Sequence, residues 1–256
     1  MRIQSLGISH PGLIRDHNED SFMNNDKDGL FLVADGMGGL SKGDLASRIA
    51  IETIQDFIRK SRLEDITWPT KLRQHYSLEE NRFLAAISLA NWNIFNEMLR
   101  NPKNTAMGTT LVGLLVDGEK LVLANIGDSR AYRIRDNTIQ QLTNDHSLVM
   151  EEVRRGLITQ EEARAHPQKH IVSRALGISD SPEVDISSLE VQENDLYLLC
   201  SDGLSDMVPD EEIRFLVQSN RNNPLKELGQ KLIDAANNRG GKDNITIVLA
   251  RFSEAP

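Results

Sequence analysis

The sequence predicts an α+β layered domain, and three features of the chain support this prediction. Short apolar runs joined by tight turns dominate its middle part and indicate antiparallel hairpins. Two long amphipathic helical segments follow one another between these strands. Two more helical segments lie together near the end of the chain. Because the helices come in pairs, the order favours antiparallel sheets covered by helices over a doubly wound parallel sheet.

The predicted strands follow the apolar runs. In the strongest hairpin signal, Asp117-Gly118 separates two apolar runs, and this dipeptide is typical of a type I′ turn. Asp136-Asn137 gives a weaker signal of the same kind. The expected strands lie at 3–9, 30–34, 109–116, 120–125, 131–135, 138–142, 184–189, 196–200 and 244–251.

Capping signals mark the ends of the predicted helices. Asp44 is a candidate N-cap for the first helix, and Ser77 with Glu80 forms a capping box at the start of the second. Gly240 and Gly241 are expected to end the last helix. The four predicted helices cover about 45–58, 77–100, 209–218 and 225–238.

Two segments stand apart from this pattern. Residues 145–177 are polar, with a short helix expected before Gly156 and another beginning at a capping box, Thr159 to Glu162. Because this segment has little apolar surface to bury, we expect a mobile flap. Residues 59–76 are predicted to be a linker or surface excursion.

Length and composition limit the class of protein. The 256 residues are most simply one domain, 1–256, at roughly 100 to 200 residues per domain. No apolar run approaches the ~20 residues that span a bilayer, so we expect no integral membrane protein. The N-terminus lacks the features of a signal peptide, and the single cysteine, Cys200, cannot form an internal disulfide. We therefore expect a cytoplasmic protein, and no sequence feature demands more than a monomer.

The net charge of −9 has two readings. Acidity is common in soluble proteins and favours solubility. Alternatively, some carboxylates lie together and are neutralised by cations. Scattered Lys and Arg residues argue against a nucleic-acid groove.

Aspartates follow or precede four of the predicted core strands. LFLVADG (30–36) and YLLCSDG (197–203) place Asp35 and Asp202 after apolar runs, Asp128 follows a third run, and Asp243 precedes the last strand. Each alone is typical of a turn. If the strand ends converge, however, the carboxylates repel one another unless cations bind between them. Oxygen ligands without a His or Cys cluster favour Mg²⁺ or Mn²⁺ over Zn²⁺, and Gly36 would let a backbone carbonyl approach the metal.

The N-terminal segment GLIRDHNED adds further candidates. Glu19 and Asp20 form an acidic pair, and Arg15 offers a planar set of donors that suits phosphate oxygens. A lone arginine is more often a surface residue, so the assignment depends on the neighbouring acids.

Six motifs in order carry a family resemblance. RDHNED, VADGMGG, GTT, NIGDSRAY, CSDGLSD and GKDNIT span residues 15–246. Together they resemble the PPM family of metal-dependent protein serine/threonine phosphatases, also called protein phosphatase 2C, in its compact bacterial form. The resemblance implies a four-layer αββα sandwich and hydrolysis of phosphoserine and phosphothreonine in proteins, by direct attack of a hydroxide that bridges two metals.

The resemblance also implies residue roles. Asp35 would bridge two metals, with the Gly36 carbonyl on the second. Asp202 and Asp243 would complete the first metal's shell, and Arg15 would bind phosphate. The implied ligands are Glu19, Asp20, Asp35, Gly36, Asp202 and Asp243, with Asp128, Asp202 and Asp206 as candidates for a third, weaker ion near the flap.

Some positions depart from the family pattern or stay open. Many eukaryotic relatives have His where this chain has Met37, so the donor of the leaving-group proton is unassigned, with metal-bound water or His17 as candidates. The flap residues His166, His170 and Arg174 either contact substrate or are simply solvated. Ser129, Ser201 and Cys200 are expected to be structural.

The sequence argues against two alternative functions. A catalytically silent relative would lack a metal ligand, whereas every expected acid is present. A nucleotide-binding loop at GMGGLSKGD does not meet the G-x-x-x-x-G-K-[ST] order. The expected partners are phosphorylated proteins, among them a cognate serine/threonine kinase and its substrates.

Overall fold

The computed structural model describes residues 1–38, 42–100 and 107–254, which form two antiparallel sheets and two groups of helices. None of the described helices is long and apolar enough to cross a membrane. The strands are β1 (Arg2–His10), β2 (Asp20–Asn25), β3 (Leu30–Met37), β4 (Gly108–Thr109), β5 (Leu111–Asp117), β6 (Lys120–Ile126), β7 (Arg130–Arg135), β8 (Thr138–Gln141), β9 (Asp185–Glu190), β10 (Leu196–Cys200) and β11 (Ile245–Ser253). The helices are α1 (Lys42–Leu63), α2 (Leu78–Arg100), α3 (Leu148–Arg154), α4 (Gln160–Ala165), α5 (Asp202–Ser205), α6 (Asp210–Ser219) and α7 (Leu225–Asn238).

The two sheets mix distant parts of the chain. The five-stranded sheet has the order β1-β11-β10-β7-β8, so the first and last strands are neighbours. The six-stranded sheet has the order β2-β3-β5-β6-β9, and β4 pairs with β3. All of these pairings are antiparallel.

Three apolar cores define four layers. One core joins α1 and α2 to the six-stranded sheet, and includes Leu32, Ile54 and Phe83. A second lies between the two sheets, where Phe31 and Val248 are fully buried. The third joins the five-stranded sheet to α5, α6 and α7. The predicted αββα sandwich is therefore confirmed.

The main differences from the predicted elements lie at the N-terminal end of the fold. Strand β2, DSFMNN, was not predicted because its sequence is largely polar and all six residues are only half-buried. Helix α1 begins at Lys42, so Asp44 lies inside the first turn and the N-cap assignment was wrong. The helix also continues to Leu63, into the segment predicted to be a linker. Residues 39–41, part of the rejected nucleotide loop, lie outside the described residues.

Of the two predicted hairpin turns, only the weaker candidate has the predicted type. Asp117 pairs with Lys120, so the central turn residues are Gly118 and Glu119, and only Gly118 has a positive φ, of 63°. That pattern matches a type II′ turn, and the type I′ assignment was wrong. In the weaker candidate, Asp136 and Asn137 have φ of 45° and 67°, as a type I′ turn requires.

The flap contains α3 and α4 and is tied down at both ends. At its start, His146 N donates to Gly127 O over 2.9 Å, and at its end Gly177 N donates to Asn91 Oδ1 of α2 over 2.8 Å. The predicted capping box at Thr159 is present at the start of α4. Only Val149 and Ala163 are buried apolar residues between 148 and 170. The mobility of the flap stays a prediction.

Two flap glycines with left-handed backbones provide a matched test. Gly156 has φ of 70°, and a Cβ there would meet nothing within 4 Å. Gly177 has φ of 89°, and a Cβ there would lie 2.3 Å from Ile94 Cγ2. Gly156→Ala should lower the free energy of unfolding by about 1 kcal/mol through backbone strain alone. Gly177→Ala should lower the free energy of unfolding by about 1–3 kcal/mol more than that, because the added methyl group overpacks the contact with Ile94. Urea denaturation measures both losses. Equal losses in the two variants would contradict the packing of Gly177 on α2.

Candidate metal centre

Acidic residues from both sheets meet at one end of the molecule. On the six-stranded sheet, Asp20 of β2 lies directly opposite Asp35 of β3. On the five-stranded sheet, β10 runs into α5, which begins at Asp202, and Asp243 comes just before β11. The two groups are connected, because Ser201 Oγ donates to Asp20 Oδ2 over 2.8 Å. The strand ends therefore converge as the sequence predicts.

The GTT motif holds the backbone of Asp35. Thr110 Oγ1 accepts from Asp35 N over 3.0 Å, and Thr110 N donates to Asp35 O over 2.9 Å. Thr109 Oγ1 donates to the same carbonyl over 2.9 Å. Thr110 Oγ1 also shares a 2.7 Å hydrogen bond with Ser129 Oγ. These contacts fix the backbone of Asp35 between neighbouring strands. The bond to Thr110 gives Ser129 a structural role.

Gly36 lies where three backbone segments touch. A Cβ at Gly36 would come within 2.1 Å of Gly43 O and 2.5 Å of Glu19 O. Gly43 N donates to Glu19 Oε1 over 3.1 Å, and Ser47 Oγ donates to Glu19 O over 2.6 Å. Any side chain at Gly36 would therefore push α1 away from the acidic pair. This close approach is a steric reason for glycine that adds to the predicted carbonyl contact.

The Asp20 carboxylate is held on one side only. Ser201 Oγ donates to Oδ2, while Oδ1 is buried and has no hydrogen-bond partner among the described residues. Ser201 Oγ also accepts from Thr246 N over 3.0 Å, so its hydroxyl is fully engaged and is not poised as a nucleophile. An unpaired buried carboxylate oxygen is costly.

Asn244 ties the N-terminal acidic loop to the start of β11. Its Nδ2 donates to Pro11 O over 3.0 Å and to His17 O over 2.9 Å. Its Oδ1 accepts from Glu19 N over 2.8 Å. One side chain thus sets the path of residues 11–19, which carry both Arg15 and the acidic pair. Asn244 was not among the residues predicted from the sequence, although it stands beside Asp243 in the motif GKDNIT.

Burial and mutual repulsion disfavour the charged carboxylates. Burial raises the pKa of Asp20 to about 6 and that of Asp128 to about 7, and nearby acids add to both shifts. Burial also raises the pKa of Asp35 and of Asp202 well above the usual range. Among the neighbouring charges, those of Asp20 and Asp202 raise the pKa of Asp35 most, whereas those of Asp128 and then Asp243 raise the pKa of Asp202 most. The cluster holds more negative charge than its protein surroundings balance.

This donor set fits divalent metal ions of the hard class. The converging side chains offer carboxylate oxygens, and Asp20 Oδ1 lacks any other partner. The remaining contacts come from hydroxyl and amide groups that orient the acids, as outer groups do around bound metals. Oxygen ligands favour Mg²⁺ or Mn²⁺.

Arg15 borders the cluster from the solvent side. Its Nη2 lies 2.7 Å from Asp243 Oδ2, and 55 % of its side chain is exposed. The hydrogen bond and charge of Asp243 raise the pKa of Arg15, and Asp202 and Glu19 contribute to the same shift. The guanidinium is therefore oriented by an acid of the cluster and still reachable from solvent.

The flap brings a cation and a histidine to the second edge of the cluster. Lys169 Nζ lies 2.7 Å from Asp206 Oδ2, and His170 Nδ1 lies 3.5 Å from the same oxygen. Potential ligand atoms of His170, Asp202 and Asp206 lie within 4.8 Å of one another. Asp206 was predicted from the sequence as a ligand candidate, whereas its contacts with the flap were not predicted.

The other flap candidates lie elsewhere. Arg174 is 3.3 Å from Glu183 and 3.5 Å from Asp185. His166 Nδ1 accepts from Gln168 N within its own turn. No contact of the described residues connects either side chain to the acidic cluster. Their predicted substrate contacts stay predictions.

Cys200 lies beneath the site without taking part in it. The side chain is fully buried, and burial raises the pKa of its thiol to about 12. A thiol in this setting is a small apolar side chain. This agrees with the expected structural role.

Comparison with known proteins identifies the family. Residues 9–245 match the family model of protein phosphatase 2C. The chain belongs to the protein phosphatase 2C family. It is therefore a metal-dependent protein serine/threonine phosphatase.

Relatives that match almost the whole length of this phosphatase support the assignment. A serine/threonine phosphatase, stp, of Listeria welshimeri is 40 % identical over 246 residues, which cover 93 % of this chain and 91 % of that protein. The crystal structure of the Mycobacterium tuberculosis phosphatase PstP/Ppp superposes with a TM-score of 0.86 at 35 % identity, covering 98 % of this chain and 99 % of that one. A structure of the PstP catalytic domain with two manganese ions has a TM-score of 0.82 at 34 % identity, covering 98 % and 99 %.

Substitution of Asn244 tests whether the phosphatase needs its N-terminal loop fixed. Asn244→Ala removes three hydrogen bonds and leaves Glu19 N without its partner, so stability should fall by about 2–4 kcal/mol. Affinity for Mn²⁺, measured by calorimetry, should fall by about 10–100-fold because the acidic pair loses its support.

A matched variant controls for loss of an amide side chain in general. Asn93 Nδ2 donates to Thr53 Oγ1 between α1 and α2, far along the chain from the acids. Asn93→Ala should leave Mn²⁺ affinity unchanged. Unchanged affinity in Asn244→Ala as well would remove Asn244 from its supporting role.

Proposed function

We propose that this phosphatase hydrolyses phosphoserine and phosphothreonine in proteins at the carboxylate cluster, with two divalent ions held between the sheets. The observation that carries the proposal is the convergence of Asp20, Asp35 and Asp202 with strongly raised pKa values and one unpaired oxygen. Such a cluster is unfavourable without cations. A relative, PstP, has been crystallised with two manganese ions, which supports the same number here.

Together the two ions would draw on ligands from both sheets. Asp35 would serve both ions, and the carbonyl of Gly36 would be a ligand of the second. Asp202 and Asp243, from the side of the five-stranded sheet, would hold the first ion. Glu19 and Asp20 serve the second, with Asp20 Oδ1 free to do so. We propose Mn²⁺ or Mg²⁺, since the set contains only oxygen donors.

The residues of the chain divide the chemical work. When bound, the ions activate water as a nucleophile and neutralise charge on the phosphate. Arg15 binds and orients the phosphate with a planar set of donors, and Asp243 holds the Arg15 guanidinium in place. Asp35 and Asp202 would hold the ions, whose positive charge would stabilise the deprotonated form of both carboxyl groups.

A third ion is proposed at the edge of the cluster near the flap. Asp128 and Asp202 are its first candidates. Asp206 could join them, and it already attracts Lys169 and His170 from the flap. This arrangement supports a site whose occupancy depends on flap position.

The leaving alkoxide requires a proton that Met37 cannot give. His17 lies two residues after Arg15 and is exposed, and its own carbonyl is held by Asn244. Water and His17 are the two candidates proposed to donate that proton.

The biological setting is proposed from the reaction. The substrates are phosphorylated proteins, including a cognate serine/threonine kinase and its targets. We propose that the phosphatase acts in the cytoplasm and as a monomer, with no nucleic acid or membrane partner.

Hydrolysis of a phosphothreonine peptide with Mn²⁺ tests the proposal. A chelator should abolish turnover, and Asp202→Asn should lower kcat/KM at least about a hundredfold because an ion loses a ligand. Asp56→Asn, an exposed acid of α1, should leave kcat/KM unchanged. Activity that survives both the chelator and Asp202→Asn would rule out the metal centre.

Arg15→Ala extends this assay to phosphate binding. It should lower kcat/KM about 10–100-fold, chiefly through a higher KM, because a charge-assisted contact to phosphate is lost. Arg59→Ala, an exposed arginine of α1, is the control. A KM equal to that of the wild type in Arg15→Ala would remove Arg15 from substrate binding.

A further inference from the structure

Strand β11 carries an arginine where its alternation calls for an apolar side chain. Ile245, Ile247 and Leu249 face the core between the five-stranded sheet and the helices. Arg251 comes two residues later and faces the same way. The register agrees, because Arg251 pairs with Leu196, whose side chain belongs to that core. A guanidinium therefore enters the end of an apolar layer.

A cavity of about 310 Å³ lies at this point. Leu196 and Val217 supply apolar walls from the sheet and from α6. Arg251 enters from the sheet, and Arg221 enters from the connection between α6 and α7. We call this cavity the two-arginine pocket. Further donors line it, since the side chains of Asn194, Gln218 and Asn222 border the same space.

Neither arginine has a counter-charge of its own. Among residues 1–38, 42–100 and 107–254, no side-chain hydrogen bond or ion pair involves Arg221 or Arg251. Asp136 borders the pocket but forms no ion pair with either one. Burial and then the charge of Arg221 lower the pKa of Arg251. Arginine stays protonated in proteins. Arg251 is half-buried and Arg221 is exposed, so solvent screens part of their repulsion, and an anion held between the two like charges would relieve the rest.

We propose that the two-arginine pocket binds a phosphate group, either as free phosphate or as a phosphorylated side chain. Two guanidinium groups present planar sets of donors that match phosphate oxygens, and the amides can serve the remaining oxygens. The cavity exceeds the size of one phosphate, so it can admit an attached side chain.

The pocket is separate from the metal centre. Asp243 precedes β11, whereas Arg251 lies near its other end, roughly 20 Å or more away along the strand. A phosphate bound there does not compete with substrate at the metals. The proposal thus goes beyond the proposed function and does not depend on it.

Calorimetric titration of the Mn²⁺-loaded protein with inorganic phosphate tests the pocket. The wild type should bind a second phosphate in addition to any bound at the metal centre. Arg251→Gln and Arg221→Gln should each weaken this second event at least about tenfold. Arg59→Gln should leave it unchanged, and Arg15→Ala should alter only the metal-centre event.

Thermal unfolding shows whether a variant loses phosphate binding only because it misfolds. Arg251→Leu restores the apolar alternation of β11, so its Tm should equal or exceed that of the wild type in phosphate-free buffer. Phosphate should then raise the Tm of the wild type more than that of Arg251→Leu. A second phosphate event that persists in Arg251→Gln and Arg251→Leu, or its absence from the wild type up to about 10 mM phosphate, would overturn the proposal.

A phosphothreonine peptide distinguishes the two sources of phosphate, with the metal centre disabled by Asp202→Asn to prevent hydrolysis. Binding at least about tenfold tighter than that of inorganic phosphate, and lost in Arg251→Gln, assigns the pocket to phosphoproteins. Equal or weaker binding assigns it to free phosphate. Binding of the unphosphorylated peptide with the same affinity would contradict a phosphate site.

Discussion

Repulsion between carboxylates from two different sheets is the constraint on which the rest of the structure depends. Asp20 and Asp35 come from the six-stranded sheet, and Asp202 and Asp243 come from the five-stranded sheet. The apolar core between the sheets holds these four acids at one end of the sandwich. Apolar burial therefore works against electrostatic repulsion, and divalent cations relieve the conflict.

The contacts around the acids orient them without neutralising them. Thr110 holds the backbone of Asp35, and Ser201 holds one oxygen of Asp20. These groups carry no charge. Two cations, Arg15 and Lys169, form ion pairs with acids at the edges of the cluster. The carboxylates at the centre of the cluster therefore remain without a balancing charge from the residues that orient them.

The order of the motifs made much of the fold and the positions of the acids predictable. Contacts between distant segments could not be predicted from the sequence. Asp35 and Asp202 stand out because the chain repeats an apolar strand followed by Asp-Gly. Asn244 gives no such signal, because its partners lie more than 220 residues earlier and are backbone atoms. Strand β2 was missed because it is polar and half-buried, so no period of two distinguishes its faces.

Proton release on metal binding tests the central claim most directly. With pKa values of about 6 for Asp20 and about 7 for Asp128, roughly half of the Asp20 carboxyls and most of the Asp128 carboxyls are protonated at pH 6 in metal-free protein. Mn²⁺ must displace those protons. Calorimetry in buffers of different ionisation enthalpy should therefore detect release of on the order of one or more protons per chain at pH 6, and less at pH 8. A binding heat that is the same in every buffer, at pH 6 as well as at pH 8, would contradict the account.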